Sequence, residues 1–256
     1  MFAVERHQAI VKLINENGKI TISELTSLFN VSSETIRKDL LILEKSKLLI
    51  RTHGGAMSNA NNNTLKPLIE RLHTNTPEKA QLCSTAVKYI NDGDTIAIDS
   101  GSTSVELAKL IVDKFSKLTV LTHCLDVFNI LMPNDGIDVV LCGGEYKRSE
   151  KSFCGNLTVD TINQIHTEKF FLFPSGVSLK FGIMDYDGDI LRNQKAYMNN
   201  TDKVFVLADS DKFEKAAYLK ICEINRDYTY ITDSELPGEI FKEYKQNNID
   251  IVRNTK

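Results

Sequence analysis

At 256 residues the chain is about 1.7 times the rough length of one domain, so two domains, one small and one large, are expected. Hydrophobic residues at 42% and charged residues at 25% lie near the average for globular chains, which excludes disorder, a collagen repeat and a coiled coil as the overall class. The formal charge of −3 is unevenly spread: residues 1–58 carry +2 and the remainder −5. Glu5, Arg6, His7 and Lys12 interrupt the start of the chain and deny it the apolar core of a signal peptide. No later run reaches the ~18–20 apolar residues that span a bilayer, so a cytoplasmic protein with no membrane partner is expected. Five cysteines, with no C-x-x-C pair and no histidine at zinc spacing, read as buried free thiols, and no metal or cofactor is expected.

Ile10, Leu13 and Ile14 recur at helical spacing before Asn17-Gly18, which ends a first helix. Thr21 with Glu24 has the form of a capping box and predicts a second helix that buries Leu25, Leu28 and Phe29. After a break at Asn30-Val31-Ser32, a third helix carries Ile36, Leu40 and Leu43 on one stripe. The short extended run from Leu48 to Thr52 ends in a turn at His53-Gly54-Gly55. A helix, a short turn and a second helix with a polar, cationic face form the helix-turn-helix layout, and the hairpin that follows makes a wing. Residues that enter a major groove must reach base edges, so Ser33, Glu34, Thr35 and Lys38 are the candidates on the reading helix. Arg37 pairs with guanine or with phosphate, and the pattern leaves both open. Arg51 and His53 on the wing would meet the backbone or the minor groove.

The composition then changes: Ser58, Asn59, Asn61, Asn62, Asn63 and Thr64 leave little apolar surface to pack. The predicted organisation is a first domain over 1–57, a linker over 58–68 and a larger domain over 69–256. In the larger domain, short apolar runs at 95–98, 118–122, 139–142, 170–173, 204–208, 228–232 and 249–252 read as strands buried on both faces. Amphipathic stretches at 104–114, 125–132, 159–164 and 238–244 read as helices, which makes the domain α/β with a mostly parallel sheet.

Asp99-Ser100-Gly101-Ser102-Thr103 follows one strand and opens a helix, where backbone N–H groups and hydroxyls suit an anion such as phosphate. The same residues also suit an ordinary strand-to-helix turn. Gly143 and Gly144 lie at the end of another strand, and Lys195 and Lys212 are cations able to close a site at the C-terminal edge of the sheet.

Arg6, Val31-Ser32, Thr35 to Leu40, Leu43-Glu44 and His53 to Ala56 resemble the winged helix of the DeoR-type bacterial transcription regulators. The likeness continues, with weaker motifs, through Asp99 to Thr103, Gly143-Gly144, Gly155, Gly176, Lys195 and Ala208 to Phe213. It implies a regulator, a repressor of sugar catabolism, that binds double-stranded operator DNA as a dimer or higher homo-oligomer. It also implies a sensor domain resembling ribose-5-phosphate isomerase and relief of repression by a phosphorylated sugar held at Asp99 to Thr103, with Gly143-Gly144 and Lys212 lining the pocket. This chain departs from the pattern at Thr122-His123, at Pro174-Ser175-Gly176 and at Asn193. Thr122 and His123 are therefore carried as effector-pocket candidates, His123 being a ligand contact or a satisfied turn residue. The rival reading is a sugar-phosphate isomerase with a nucleic-acid module, which needs a general base that the turn at 174–176 does not provide. No catalysis is expected.

Overall fold

The computed structural model describes residues 6–7, 9–10, 13–14, 19–45, 49–52, 54–58 and 68–254. They fall into two compact units, Met1–Leu65 and Lys66–Lys256.

In the first unit, residues 6, 7, 9, 10, 13 and 14 are helical, followed by β1 (Lys19–Thr21), α1 (Ile22–Phe29), α2 (Ser33–Lys45), β2 (Leu49–Thr52) and β3 (Gly55–Ser58). The capping box at α1 is formed: Glu24 N–H donates to Thr21 Oγ1 at 3.2 Å, and Thr21 N–H donates to Glu24 Oε2 at 2.7 Å. Left-handed Asn30 closes the helix, and the Ser32 hydroxyl receives the Thr35 N–H at 3.2 Å to start α2. The three strands pair antiparallel in the order β1-β3-β2 and form the wing. Ile10, Ile14, Leu25, Ile36, Leu40, Leu43, Leu49 and Ala56 close the core.

Leu28 corrects the sequence reading, because it is 59% exposed while Leu25 is fully buried. The buried stripe of α1 runs through Leu25 with Ile22 and Phe29 packed beside it, and Leu28 lies off that line. Both ends of the expected linker also belong to elements: Ser58 pairs with Leu49 in β3, and buried Leu68 opens a helix. The rest of that stretch, 59–67, lies outside the described residues.

The second unit continues with α3 (Leu68–Leu72), α4 (Thr76–Ala86), β4 (Thr95–Ile98), α5 (Ser102–Lys114), β5 (Leu118–Thr122), α6 (Leu125–Leu131), β6 (Ile137–Leu141), β7 (Glu145–Lys147) and β8 (Ser152–Cys154). Beyond these come α7 (Asn156–Asn163), β9 (Thr167–Leu172), β10 (Gly176–Ser178), β11 (Gly182–Asp185), α8 (Gly188–Asn199), β12 (Thr201–Leu207), β13 (Leu219–Cys222), β14 (Thr229–Thr232), α9 (Gly238–Gln246) and β15 (Asp250–Arg253). Seven strands form one parallel sheet in the order β15-β14-β12-β9-β4-β5-β6.

The apolar runs are explained by a core on each face of that sheet. Ile96, Ile98, Val120, Phe205 and Leu207 join one cluster with α4, α5 and α6, while Ala97, Leu121, Val204 and Val206 join the other with α7, α8 and α9. Alternate residues serve opposite layers, so the central stretches of these strands are buried on both faces. The chain winds outward from β4 toward β6 on one side and from β9 toward β15 on the other. The order of winding therefore reverses between β4 and β9, and ligands in open α/β sheets gather outside the strand ends at such a point. The β7–β8 hairpin and the antiparallel sheet β10-β11-β13 were not expected from the sequence. Their strands are three or four residues long, too short to show an alternation.

Candidate DNA-reading face and effector site

Four of the residues expected on the reading helix face outward: Ser33, Glu34, Arg37 and Lys38 are exposed. Thr35 is half-buried, its hydroxyl 2.9 Å from Ser32 Oγ, so it belongs to the helix start as much as to the open face. Arg37 lies 3.9 Å from Glu34 in a solvated pair that an incoming phosphate or guanine can displace. Exposed Arg51 lies 3.9 Å from Glu44, which also accepts the Arg51 backbone N–H at 3.0 Å. His53 lies outside the described residues.

The reading helix is anchored from beneath. Arg6 Nε donates to Asp39 Oδ2 at 2.6 Å and Nη2 to Oδ1 at 3.1 Å, and His7 Nε2 lies 2.8 Å from Oδ1. Burial alone pushes the Asp39 carboxyl up; the hydrogen bonds and charges of Arg6 and His7 outweigh it, so its pKa falls below 3.8. Asp39 sits one residue after the exposed pair Arg37-Lys38, and its pairing fixes which face of α2 points out.

In the second unit the Asp99 loop occupies the β4/β9 switch point. Asp99 is fully buried, and its carboxylate accepts from Ser100 N at 2.8 Å, Phe173 N at 3.3 Å and Gln194 Nε2 at 2.9 Å. Burial pushes its pKa up to about 7. The same Gln194 amide donates to Asp185 Oδ2 at 2.9 Å, and Asp185 receives Ser175 Oγ at 2.9 Å. Gly101 has φ +140°, a conformation that side chains rarely adopt, and as N-cap it has no side chain to cap the first turn of α5.

Arg71 Nη1 would lie 4.0 Å from a Cβ at Gly101, and Arg71 is paired with Glu150. Lys79, 3% exposed, donates to the carbonyls of Arg71 and Thr74. Its pKa is lowered, first by burial and then by the neighbouring charge of Lys212. One turn further along α4, the Cys83 thiol meets Thr103 O at 3.5 Å. The Asn75 amide donates to Asp211 at 2.9 Å, and the next residue, Lys212, is half-buried.

His123 is fully buried at 3.7 Å from Asp99 Oδ1, with its ring 5.7 Å from that of Tyr197. Burial holds the ring neutral, its pKa lowered to about 3. Thr122 is already satisfied, because its hydroxyl donates to Ile98 O at 2.9 Å and accepts from Cys124 N at 3.1 Å. It ties β5 to β4.

Two expectations are not met by the geometry. Lys195 is exposed beside Cys222, because the helical turn that points Asn193 and Gln194 inward points the next residue out. Gly143 and Gly144 are exposed; a Cβ on Gly144 would stand 2.2 Å from Thr158 Oγ1 and 2.5 Å from Cys154 O, so packing against α7 and β8 accounts for that glycine. The sequence reading passed over Arg71, Lys79, Glu150, Ser152, Asp185 and Gln194. Lys79 follows Pro77-Glu78 where α4 begins, a position at which a lysine is ordinary, so nothing in the sequence marks it out.

The fold and the two sites together define a class: a transcription regulator with a helix-turn-helix reader and a separate ligand-sensing unit. Residues 6–62 match the sequence profile of the DeoR-like helix-turn-helix domain, and residues 74–234 that of the DeoR C terminal sensor domain. The lactose phosphotransferase system repressor of Lactococcus lactis subsp. lactis is 34% identical over 243 residues, covering 94% of this chain and 95% of that protein. The glycerol-3-phosphate regulon repressor of Escherichia coli (strain K12) is 29% identical over 252 residues, covering 98% and 99%. A solved ribose-5-phosphate isomerase A from Neisseria gonorrhoeae overlaps 55% of this chain and 54% of its own at 17% identity, with a TM-score of 0.41. The chain belongs to the DeoR family of DNA-binding transcriptional regulators. The isomerase alternative falls with that assignment, and the Asp99 oxygens it would need as a base are occupied by protein donors.

Proposed function

We propose that the protein represses a sugar-utilisation operon and releases its operator when a phosphorylated sugar or related metabolite enters the sensor unit. Arg71 lies beside Gly101 at the uncapped first turn of α5, at the switch point of the sheet, with buried Lys79 within range of the charges of Arg71 and Lys212, and this observation carries the reading. A buried lysine repelled by Lys212 and Arg71, beside the start of a helix that no side chain caps, favours an anion over a neutral ligand. Relatives named for a glycerol-3-phosphate regulon and a lactose phosphotransferase system suggest the carbon chemistry attached to that anion.

On the DNA side, Ser33, Glu34, Thr35, Arg37 and Lys38 enter the major groove, and Arg51 and His53 meet the flanking backbone or the minor groove. One such unit makes few base contacts, so a homodimer or higher oligomer reading half-sites about one helical turn apart supplies the affinity. A thermal-shift screen of phosphorylated metabolites tests the sensing part. An effector at 100 times its Kd should stabilise the protein by roughly 2.7 kcal/mol. A panel that leaves the transition unmoved would overturn it, as would sedimentation as a monomer for the oligomeric part.

A further inference from the structure

Five of the seven buried side-chain atoms that lack a hydrogen-bond partner among the described residues belong to four residues linked through Phe153 and Asp99. They are both ring nitrogens of His123, Ser152 Oγ, Asn193 Oδ1 and Gln194 Oε1. The backbone of Phe153 gathers the set: its N–H donates to His123 O at 2.8 Å, and its carbonyl accepts from Asn193 Nδ2 at 2.9 Å. Ser152 faces Cys124 across an antiparallel bridge. Gln194 joins through Asp99, which it touches at 2.9 Å and which lies 3.7 Å from His123. All four residues are at most 0% exposed.

A buried polar group left unpaired costs ~1–3 kcal/mol, and folded proteins keep few of them. Five within one cluster, beside the anion seat, are the signature of groups held for a ligand. We propose that His123, Ser152, Asn193 and Gln194 read the hydroxyl-bearing carbon chain of the effector, and that this end of the effector is neutral. The inference rests on the anion seat proposed above and adds what lies beyond it. The neutral imidazole donates from one nitrogen and accepts at the other, and the serine hydroxyl does both. The two amide oxygens accept. Sugar hydroxyls match that mixture, because each can donate and accept at once. A carboxylate at the same place would face the amide oxygens of Asn193 and Gln194 and the buried carboxyls of Asp99 and Asp185.

The experiment compares matched phosphorylated compounds of equal chain length, such as glucitol 6-phosphate, glucose 6-phosphate and 6-phosphogluconate, with pentose counterparts and inorganic phosphate as the reference. Dissociation constants are measured by calorimetry for the full-length protein and for Ser152→Ala, His123→Phe and Arg71→Ala. Within at least one matched series the neutral members should bind ten or more times tighter than the acid. Ser152→Ala and His123→Phe should each erase most of that preference while leaving the Kd for inorganic phosphate within twofold. Arg71→Ala should weaken every anion, inorganic phosphate included. Ser152→Ala removes a single oxygen, so it keeps the test intact if the histidine variant fails to fold. Acids that bind as well as the neutral compounds, or a Ser152→Ala protein with unchanged selectivity, would overturn the hydroxyl-reading assignment alone. Wild-type protein that binds none of the compounds and no inorganic phosphate would overturn it together with the anion seat.

Discussion

The two units of this protein place their functional groups in opposite ways. The first presents Arg37 and Lys38 to solvent from a single helix and hides the anchor, Arg6 with Asp39, beneath it. The second hides the groups proposed for effector recognition: Asp99, His123, Ser152, Asn193 and Gln194 are buried and come from the ends of separate strands and from α8. A groove-reading helix must be open because DNA is large and arrives from outside. A small-molecule sensor gains selectivity by burial, since low local polarity strengthens each polar contact and penalises each mismatch.

That contrast can be broken most severely at Asp39. Asp39→Ala leaves Arg6 buried without its carboxylate and should cost the first unit about 3–5 kcal/mol. Calorimetry should show its transition fall or vanish while that of the second unit stays in place. The sign of the pH effect follows from the lowered Asp39 pKa. The pair's contribution is present above the unfolded value of 3.8 and is lost as pH falls through the lower folded value, so the first unit should weaken in acid.

Arg71→Ala should weaken binding of a phosphorylated effector by roughly 1.5–3 kcal/mol, the worth of a hydrogen bond to a charged group, with little change in operator affinity in the absence of ligand. Isothermal titration separates the two. Arg37→Ala should do the reverse, weakening operator binding by ~1–3 kcal/mol if it reads a base, with effector affinity unchanged. If Arg37 meets phosphate instead, the loss should be uniform across DNA sequences and the salt slope should fall by about 1. Leu28→Ser should be the mildest, within about 0.5 kcal/mol of wild type in thermal stability because the side chain is 59% exposed. A large loss there would mean that Leu28 is covered in the functional assembly.

How much could be read in advance follows the same division. The reader's elements were legible because each depends on neighbours in sequence: the Thr21–Glu24 box, the stripe of Ile36, Leu40 and Leu43, and the polar face between them. Leu28 escaped because a spacing of three residues from Leu25 fits a helical stripe, and only packing decides where the stripe is centred. In the sensor unit the strands were legible from their apolar runs, which the core on either face requires. The Asp99 to Thr103 loop was legible because strand, turn and helix follow one another. The residues that complete the site were not, since Arg71 pairs with Glu150 across 79 positions and Gln194 meets Asp99 across 95. Lys195 drew attention by its charge, whereas its uncharged neighbour Gln194 points into the site.

On the proposed mechanism an anion at the start of α5 controls operator binding. It is tested most directly by fluorescence anisotropy of labelled operator DNA, titrated with the metabolite that gives the largest thermal shift, for wild-type protein and for Arg71→Ala in parallel. Wild type should release the DNA over the concentration range of the thermal shift, and Arg71→Ala should need at least tenfold more ligand for the same release. Equal release from both proteins, or none from wild type at saturating ligand, would contradict the account.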